Sequence, residues 1–561
     1  MATIIKKIKK GRPYYYAVES ARVNGKPRIV WQKYLGTVEG IVKRAEQSEP
    51  LCPREVDIFE LGGVAALARI AQRLELEELI CEVVPKREQG PSVGQYMLLA
   101  AINRALDPCS KLAIGDWYSG TALRRLWGHP ESAFTSQRFW DHMDMVSEEA
   151  IREIEERLVP RIVERFGLDP SLLLYDTTNF FTFISTTNER AALPARGHSK
   201  AKRHDLRQVG LALLVTRDFS VPLLHHLYAG NTPDVTLFPS LARKLAARYA
   251  ELAGAPADAT LVFDKGNVSD DAIEGLIARG IHFVCALPAP RVPELMRAPL
   301  EEFRDLEGMP GSRTFAAGIE GWGAELRTVV VLSESFFAKQ LHGLTGNMSR
   351  CQAKLTELEK SLGVWASGKG RGKKPTLPGV RARLREILSA QFMAELFSVE
   401  VGKQGEVPTL SWRFDHAAFE ELCAHRLGRT VLLTDRDGWP DAEVARAYRG
   451  LSAVEEAFRN MKNTHFLHFQ PAWHWTDQKL RVHAFYCVLA LTLSTLAHKV
   501  ACEAGQNLSL AAMLKELTSI REVAIIYPSG AHRKNQLALS RMSARQKKLF
   551  DILDVGGVLS W

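Results

Sequence analysis

Three carboxylates in this chain sit where phosphoryl chemistry could use them. Leu172–Asp176 (LLLYD) is an apolar run that ends on an acid and passes into Thr177-Thr178-Asn179. Leu261–Asp264 (LVFD) ends the same way and passes into Lys265-Gly266-Asn267. Each run predicts a buried strand with an aspartate at its end and a polar turn after it. Far downstream, Tyr448–Lys462 (YRGLSAVEEAFRNMK) predicts a helix bearing Glu455, Arg459 and Lys462. Carboxylates are hard oxygen donors suited to Mg2+, with Mn2+ as the alternative. Two such ions, about 3.5–4 Å apart, can activate an attacking oxygen and stabilise a leaving one in phosphodiester cleavage. Asp176, Asp264 and Glu455 are therefore the expected catalytic groups and metal ligands, with Lys265, Arg459 and Lys462 expected on phosphates.

The helix can be tested by angle. At about 100° per residue, positions seven apart nearly coincide. Tyr448, Glu455 and Lys462 thus share one stripe, flanked by Ser452 and Arg459, while Ala447, Leu451, Val454, Phe458 and Met461 form an apolar stripe beside it. Glu456 lies one residue round and points elsewhere, which favours Glu455 as the ligand. Taken singly these residues are ordinary. Glu455 and Arg459 make an i,i+4 pair worth about 0.2–0.5 kcal/mol, and an aspartate after a strand commonly forms a turn. Their joint occurrence, in this order and with phosphate-friendly neighbours, points to a site.

The elements needed to position the acids follow from pattern. After Leu172–Tyr175 come Phe180–Ile184, a basic loop Arg196–Arg207 containing Lys200 and Arg203, then strands Val209–Thr216 and Val221–Tyr228 joined at Arg217-Asp218. A helix over Thr236–Ala253, the strand Thr260–Asp264, a helix over Asp270–Arg279 and the strand Ile281–Leu287 complete the unit. This hairpin, helix, strand order resembles the ribonuclease H-like architecture, so the expected class is α/β. The expected core occupies residues 166–290 and resumes over 436–502, with helices Asp441–His465 and Gln478–Ala501. A mostly β insertion is expected over 291–435, from strand-like pieces at Thr328–Ser333, Phe397–Val401, Thr409–Phe414 and Thr430–Thr434. It also holds a helical stretch near Ser335–Leu362 and a flexible basic loop over 367–385.

Upstream, residues 46–165 predict a helical DNA-binding domain, in which Thr135-Ser136 caps a helix that carries Arg138 toward a groove. Residues 1–45 predict a basic β-hairpin segment turning at Asn24-Gly25, with Lys6, Lys7, Lys9, Lys10 and Arg12 beside Tyr14-Tyr15-Tyr16. That mixture suits either a solvated edge or a grip on DNA. Residues 503–561 predict a helical tail with an irregular end.

Bulk properties narrow the class. A length of 561 residues predicts two to four folded units. A net charge of +9 favours a polyanionic partner. The excess is local: 367–385 holds seven Lys/Arg, among them Lys369, Arg371, Lys373 and Lys374, and no acid. Eight scattered cysteines without a CxxC pair argue against zinc and for reduced thiols, hence a cytoplasmic protein. No apolar leader segment stands at the N-terminus. Ala484–Ala497 is too short to span a bilayer and predicts a buried helix, so no membrane partner is expected.

The constellation Tyr448, Glu455, Lys462, preceded by Tyr175-Asp176-Thr177-Thr178 and Asp264-Lys265-Gly266, resembles the signature of bacterial DDE transposases. The group is the insertion-sequence-four superfamily, known by a tyrosine-arginine-glutamate-lysine motif. Its large-insertion branch is the nearer likeness, through His198-Ser199-Lys200 to Asp205-Leu206 and Gly230-Asn231-Thr232. The resemblance covers roughly residues 165–500. It implies a transposase in the bacterial nucleoid that binds the terminal inverted repeats of an insertion sequence, cleaves double-stranded DNA and joins 3′ ends to target DNA. A homodimer would hold the paired ends. One departure stands out: the signature arginine position is Leu451, part of the apolar stripe, so Arg449 or Arg459 would have to meet that phosphate. Trp439 could stack on a displaced base, although its ordinary reading is a packed core residue. Two other functions remain open: a transposase-derived DNA-binding protein without cleavage, and a metal-dependent nuclease that does not join strands.

Overall fold

The computed structural model describes residues 2–23, 26–46, 52–86, 89–197, 203–239, 259–528 and 534–558. At the N-terminus, β1 (Ala2–Lys9), β2 (Arg12–Val23) and β3 (Lys26–Gly36) form a three-stranded antiparallel meander. The expected hairpin is therefore two strands of three, because Lys6, Lys7 and Lys9 lie in a strand of their own, paired with Tyr15, Tyr14 and Arg12. The Asn24-Gly25 turn lies outside the described residues. The strand β4 (Glu55–Glu60) follows after a short helix.

A nine-stranded mixed sheet organises the centre of the chain. Its first three strands are β5 (Leu172–Thr182), β6 (Arg207–Thr216) and β7 (Pro222–Ala229), an antiparallel meander. On the other side of β5, β8 (Thr260–Phe263) and β9 (His282–Leu287) run parallel to it. The spatial order from one edge is β7-β6-β5-β8-β9, with the strand that comes first in sequence in the middle. One expectation fails here. Asp176 does not end its strand: β5 continues to Thr182, because Thr177–Thr182 keeps pairing with Arg207–Ala212 of β6. Its β-branched and aromatic residues suit that ladder. Most of the expected helix Thr236–Ala253 lies outside the described residues.

Beyond β9 the sheet gains four more strands, all antiparallel: β10 (Arg304–Asp305), β11 (Ser312–Gly321), β12 (Ala324–Ser333) and, from much later in the chain, β15. Strand β15 (Arg429–Thr434) inserts between β12 and β9. Residues 291–435 are thus not a self-contained β insertion. Their strongest strands extend the central sheet, and the part standing off it is mostly helical. That part begins with the 33-residue helix Glu334–Ala366 and includes helices Leu377–Ile387 and His416–His425. One hairpin, β13 (Phe397–Gln404) with β14 (Val407–Phe414), completes it. It has its own buried cluster, including Leu355, Leu384, Phe397 and Leu410, separate from the main core. The basic stretch expected as one loop is half helical, since Thr376 caps a helix from Leu377 onward.

The N-terminal helices, from Gly62–Arg73 to Glu148–Phe166, share one continuous core with the sheet. The link is helix Asp477–Glu503, which packs on helices Gly62–Arg73, Val93–Leu106 and Glu148–Phe166 and on β7. It is long and apolar enough to cross a membrane by composition, yet 94% of its apolar window is buried within the protein. The expected helical tail also differs. Strands β16 (Arg521–Ile526) and β17 (Gln536–Leu539) form a sheet with β4, and the core closes over a chain separation that local patterns cannot register.

Candidate active site

Parallel pairing sets the two aspartates side by side. Tyr175 is the register partner of Phe263, so Asp176 and Asp264, one residue on, sit on neighbouring strands about 4.8 Å apart and share a face. Alternation assigns the two faces of β5. Tyr175 packs with Phe238 at 4.8 Å between ring centroids, and Phe238 with Phe263 at 4.5 Å. The opposite face carries Leu174, Asp176, Thr178 and Phe180; helix Leu451–Lys462 packs on it, and helix Asp441–Arg449 precedes it over β8, β9, β12 and β15.

Three contacts lay these helices across the end of β8 and along β5. Tyr448 Oη donates to Asp264 Oδ1 at 2.6 Å. Gly450 joins the two helices where a Cβ would come within 3.3 Å of Leu174 Cδ2 and 2.9 Å of Ala447 O, so the bare backbone permits the approach. Lys462 Nζ donates to Thr178 Oγ1 at 2.7 Å and lies 5.4 Å from the Phe180 ring. Asp176 falls between Leu174 and Thr178, beneath the middle of the helix. The apolar stripe is buried as its spacing requires, at Ala447, Leu451, Val454, Phe458 and Met461. The helix break at Gly450 was not anticipated, but Gly450 keeps helical angles, so the stripe carries across it.

The electrostatics favour a protonated tyrosine facing an acid. Burial, then the charge of Asp264, pushes the Tyr448 hydroxyl well above its ordinary range. It therefore remains a donor at any working pH. The helix that carries it is anchored by Asp441, which is 6% exposed. Asp441 pairs with Arg327 and with Arg304 at 2.9 Å, tying the helix start to β12 and β10.

Glu455 is exposed on the following helix, Leu451–Lys462, and no ion pair joins it to Arg459 among the described residues. The structure brings Asp176 and Asp264 together and does not close Glu455 onto them. Among the described residues no group of three or more His, Cys, Asp or Glu side chains could hold a metal ion. Two in-register carboxylates match the hard oxygen preference of Mg2+ or Mn2+, a cation that keeps several waters and needs few protein ligands. Among the described residues a three-carboxylate cage is not formed.

The remaining expected residues divide. Lys265 and Gly266 are exposed directly after Asp264, and a Cβ on Gly266 would meet nothing within 4 Å, so the approach to the aspartate is open. Arg459 is exposed. Arg449 Nη2 instead donates to Ser312 Oγ at 3.0 Å, toward the added strands. Arg203 makes a two-pronged bond to Asp205. Arg138 is exposed, but its guanidinium donates to Ser132 O at 3.2 Å. Lys369, Arg371, Lys373 and Lys374 are exposed, Lys374 beside Glu406. Lys200 lies outside the described residues. Trp439 is half-buried under Arg436.

Sequence reasoning passed over two features of β5 and its surroundings. Thr178, read as a turn residue, is the partner of Lys462. Past the end of β5, Phe183, Trp473 and Trp475 are 41%, 61% and 58% exposed. Phe183 and Trp473 meet edge to face at 4.9 Å. The dipeptide spacing in Trp473-His474-Trp475 was the available signal, since alternate residues of an extended segment project alike.

No family model matches this chain, and no curated protein does. Among solved structures it is similar to the piggyBac transposase in a cryo-EM structure of the synaptic complex with hairpin DNA. The identity is 9%, the TM-score is 0.38, and the alignment covers 84% of this chain and 81% of that chain. A likeness that loose fixes neither a family nor the role of any residue.

Proposed function

We propose that this chain is a DDE-type transposase. The observation that carries the reading is the pairing of Asp176 with Asp264 on adjacent parallel strands. Tyr448 donates to Asp264, and Lys462 donates to Thr178, two residues along the strand from Asp176. The strand order β7-β6-β5-β8-β9, a meander followed by two parallel strands, supports a ribonuclease H-like core. The resemblance of Tyr175-Asp176-Thr177-Thr178, Asp264-Lys265-Gly266 and the Tyr448, Glu455, Lys462 stripe supports the insertion-sequence-four superfamily.

In this reading Asp176 and Asp264 would hold Mg2+ or Mn2+, and Glu455, exposed on the covering helix, would have to move in to serve as the third ligand. The cation supplies charge to the attacking and leaving oxygens. Tyr448 fixes the carboxylate of Asp264 in one orientation, and Lys462, Arg459 and Lys265 meet the phosphates of the strand being cut. Water attacks phosphorus at the element end, the P–O3′ bond breaks, and a 3′-hydroxyl is released. That hydroxyl then attacks a second phosphodiester, forming a new P–O3′ bond as the old 3′-oxygen leaves. The basic segment 367–374 adds sequence-independent affinity for double-stranded DNA, and two chains hold two terminal inverted repeats.

One observation favours a second reading, a DNA-binding protein without cleavage: Glu455 stands outside any three-acid cluster. Incubation of the full chain with Mg2+ and a plasmid bearing the sequences that flank its gene separates the two. Nicked or excised plasmid, plus joining of a pre-cut 3′ end to target DNA, supports the transposase. Cutting without joining indicates a nuclease. Retention of the plasmid in supercoiled form, with binding intact, indicates the second reading.

A further inference from the structure

A second strongly basic segment lies at the N-terminal end of the sequence, far along the chain from the aspartates. Within 2–36, Lys6, Lys7, Lys9, Lys10, Arg12, Arg22, Lys26, Arg28 and Lys33 face a single acid, Glu19. Among its described residues this meander contributes none to either buried core. Its aromatic residues are therefore not there to fill the body of the protein.

One face of the sheet is organised. Register pairs Lys7 with Tyr14, Lys9 with Arg12 and Tyr16 with Tyr34, which puts these six on the same side of three adjacent strands. Tyr34 lies 6.1 Å from Tyr14 and 5.2 Å from Tyr16 between ring centroids. Lys7 Nζ stands 4.8 Å from the Tyr16 ring. Lys10 and Gly11 both adopt positive φ, 46° and 74°, as a two-residue hairpin turn of the twist-matching kind requires. A lysine accepts that unfavourable angle at the rim of the tyrosine cluster. The three rings with Lys9 and Lys10 line an open concavity of about 580 Å³, within the size range of ligand sites. Tyr34 remains 53% exposed.

We infer that this face binds unpaired DNA, with a base against the tyrosine rings and the adjoining phosphates on Lys7, Lys9 and Lys10. Stacking on aromatic rings within a cationic groove is the chemistry of single-strand recognition, and it tolerates any base because every base has a π-face. A duplex keeps its bases stacked on each other and would meet the lysines but leave the rings unused. The site is remote in sequence from Asp176 and Asp264, and the inference does not depend on cleavage.

The test uses the full chain and an oligonucleotide of about 16 nucleotides, the upper end of a single-module site, carrying 5-bromouracil. Ultraviolet cross-linking should attach the single strand to peptides containing Tyr14, Tyr16 or Tyr34. Tyr34→Ala should weaken its binding about tenfold, while Tyr34→Phe and Tyr34→Trp retain it, which separates a lost ring from a disturbed sheet. Lys9→Gln with Lys10→Gln should flatten the dependence of log K on log salt by about 1.4. Unchanged single-strand affinity in Tyr34→Ala together with cross-links confined to other regions overturns the inference. So does an equal loss for a duplex of the same sequence, which would make the face a duplex contact.

Discussion

Tyr448→Phe removes one oxygen and little else, which makes it the sharpest probe of how Asp264 is held. The hydroxyl donates to Asp264 Oδ1 at 2.6 Å from a half-buried position. A hydrogen bond to a charged acceptor contributes about 1.5–3 kcal/mol. At about 1.4 kcal/mol per decade, the variant should lose roughly 10- to 150-fold in the single-turnover rate of plasmid nicking with Mg2+. Affinity for duplex DNA should hold, because the phosphate contacts proposed for Lys265, Arg459 and 367–374 are untouched. Tyr228→Phe is the control. Its hydroxyl donates to Asp234 at 2.7 Å, and the register Asn179–Gly210–Tyr228 places it on the face of the sheet away from Asp176. That variant loses a comparable bond and should nick at the parent rate. Equal losses in both variants, or a Tyr448→Phe protein within twofold of the parent, would refute the positioning argument.

Other consequences follow from packing and charge. A Cβ on Gly230 would lie 1.9 Å from the backbone oxygen of Gln208, so Gly230→Ala should destabilise the protein by about 3 kcal/mol or more, read as a lowered urea midpoint; an unchanged midpoint would contradict the β6–β7 geometry. His474 and His483 are fully buried and, chiefly through desolvation and then neighbouring charges including Arg104 and Lys111, held well below their ordinary value of 6.5. The unfolded chain then binds more protons below pH 6.5, so stability is flat above that pH and falls beneath it, by up to about 1.4 kcal/mol per unit for each histidine; denaturant midpoints between neutral and mildly acidic pH measure this, and a flat profile would sink it. Replacing Lys369, Arg371 and Lys373 with Gln should reduce the salt slope of duplex binding by about 2.7, and no change in slope would remove the segment from the DNA-contacting surface.

Much of the sheet was legible because its strands are short apolar runs whose period and bounding turns are local properties. Leu172–Tyr175 and Val209–Thr216 lie within strands that form, and Val221–Tyr228 and Ile281–Leu287 each begin one residue ahead of theirs. The apolar stripe from Ala447 to Met461 was legible for the same reason, since angle along a helix needs no knowledge of the rest of the chain. What failed was non-local. Nothing around Asp176 says that β6 keeps pairing past it, and nothing in Arg429–Thr434 says that it slots between β12 and β9. The β4–β16 pair joins residues from opposite ends of the sequence, and alternation within either strand is silent about its partner. At the site, strand patterns and register delivered Asp176 beside Asp264, whereas the position of Glu455 relative to them depends on side-chain reach and on the depth at which the helix packs. Periodicity constrains neither.

The most direct measurement is Mg2+-dependent cleavage by Asp176→Asn and Asp264→Asn proteins, each checked for duplex binding and for folding. If the paired aspartates are the reaction centre, both variants bind DNA like the parent and nick plasmid at least about a hundredfold more slowly, the scale of a lost interaction near 2.7 kcal/mol. Near-normal cutting by either variant would contradict the claim that these two strands carry the chemistry.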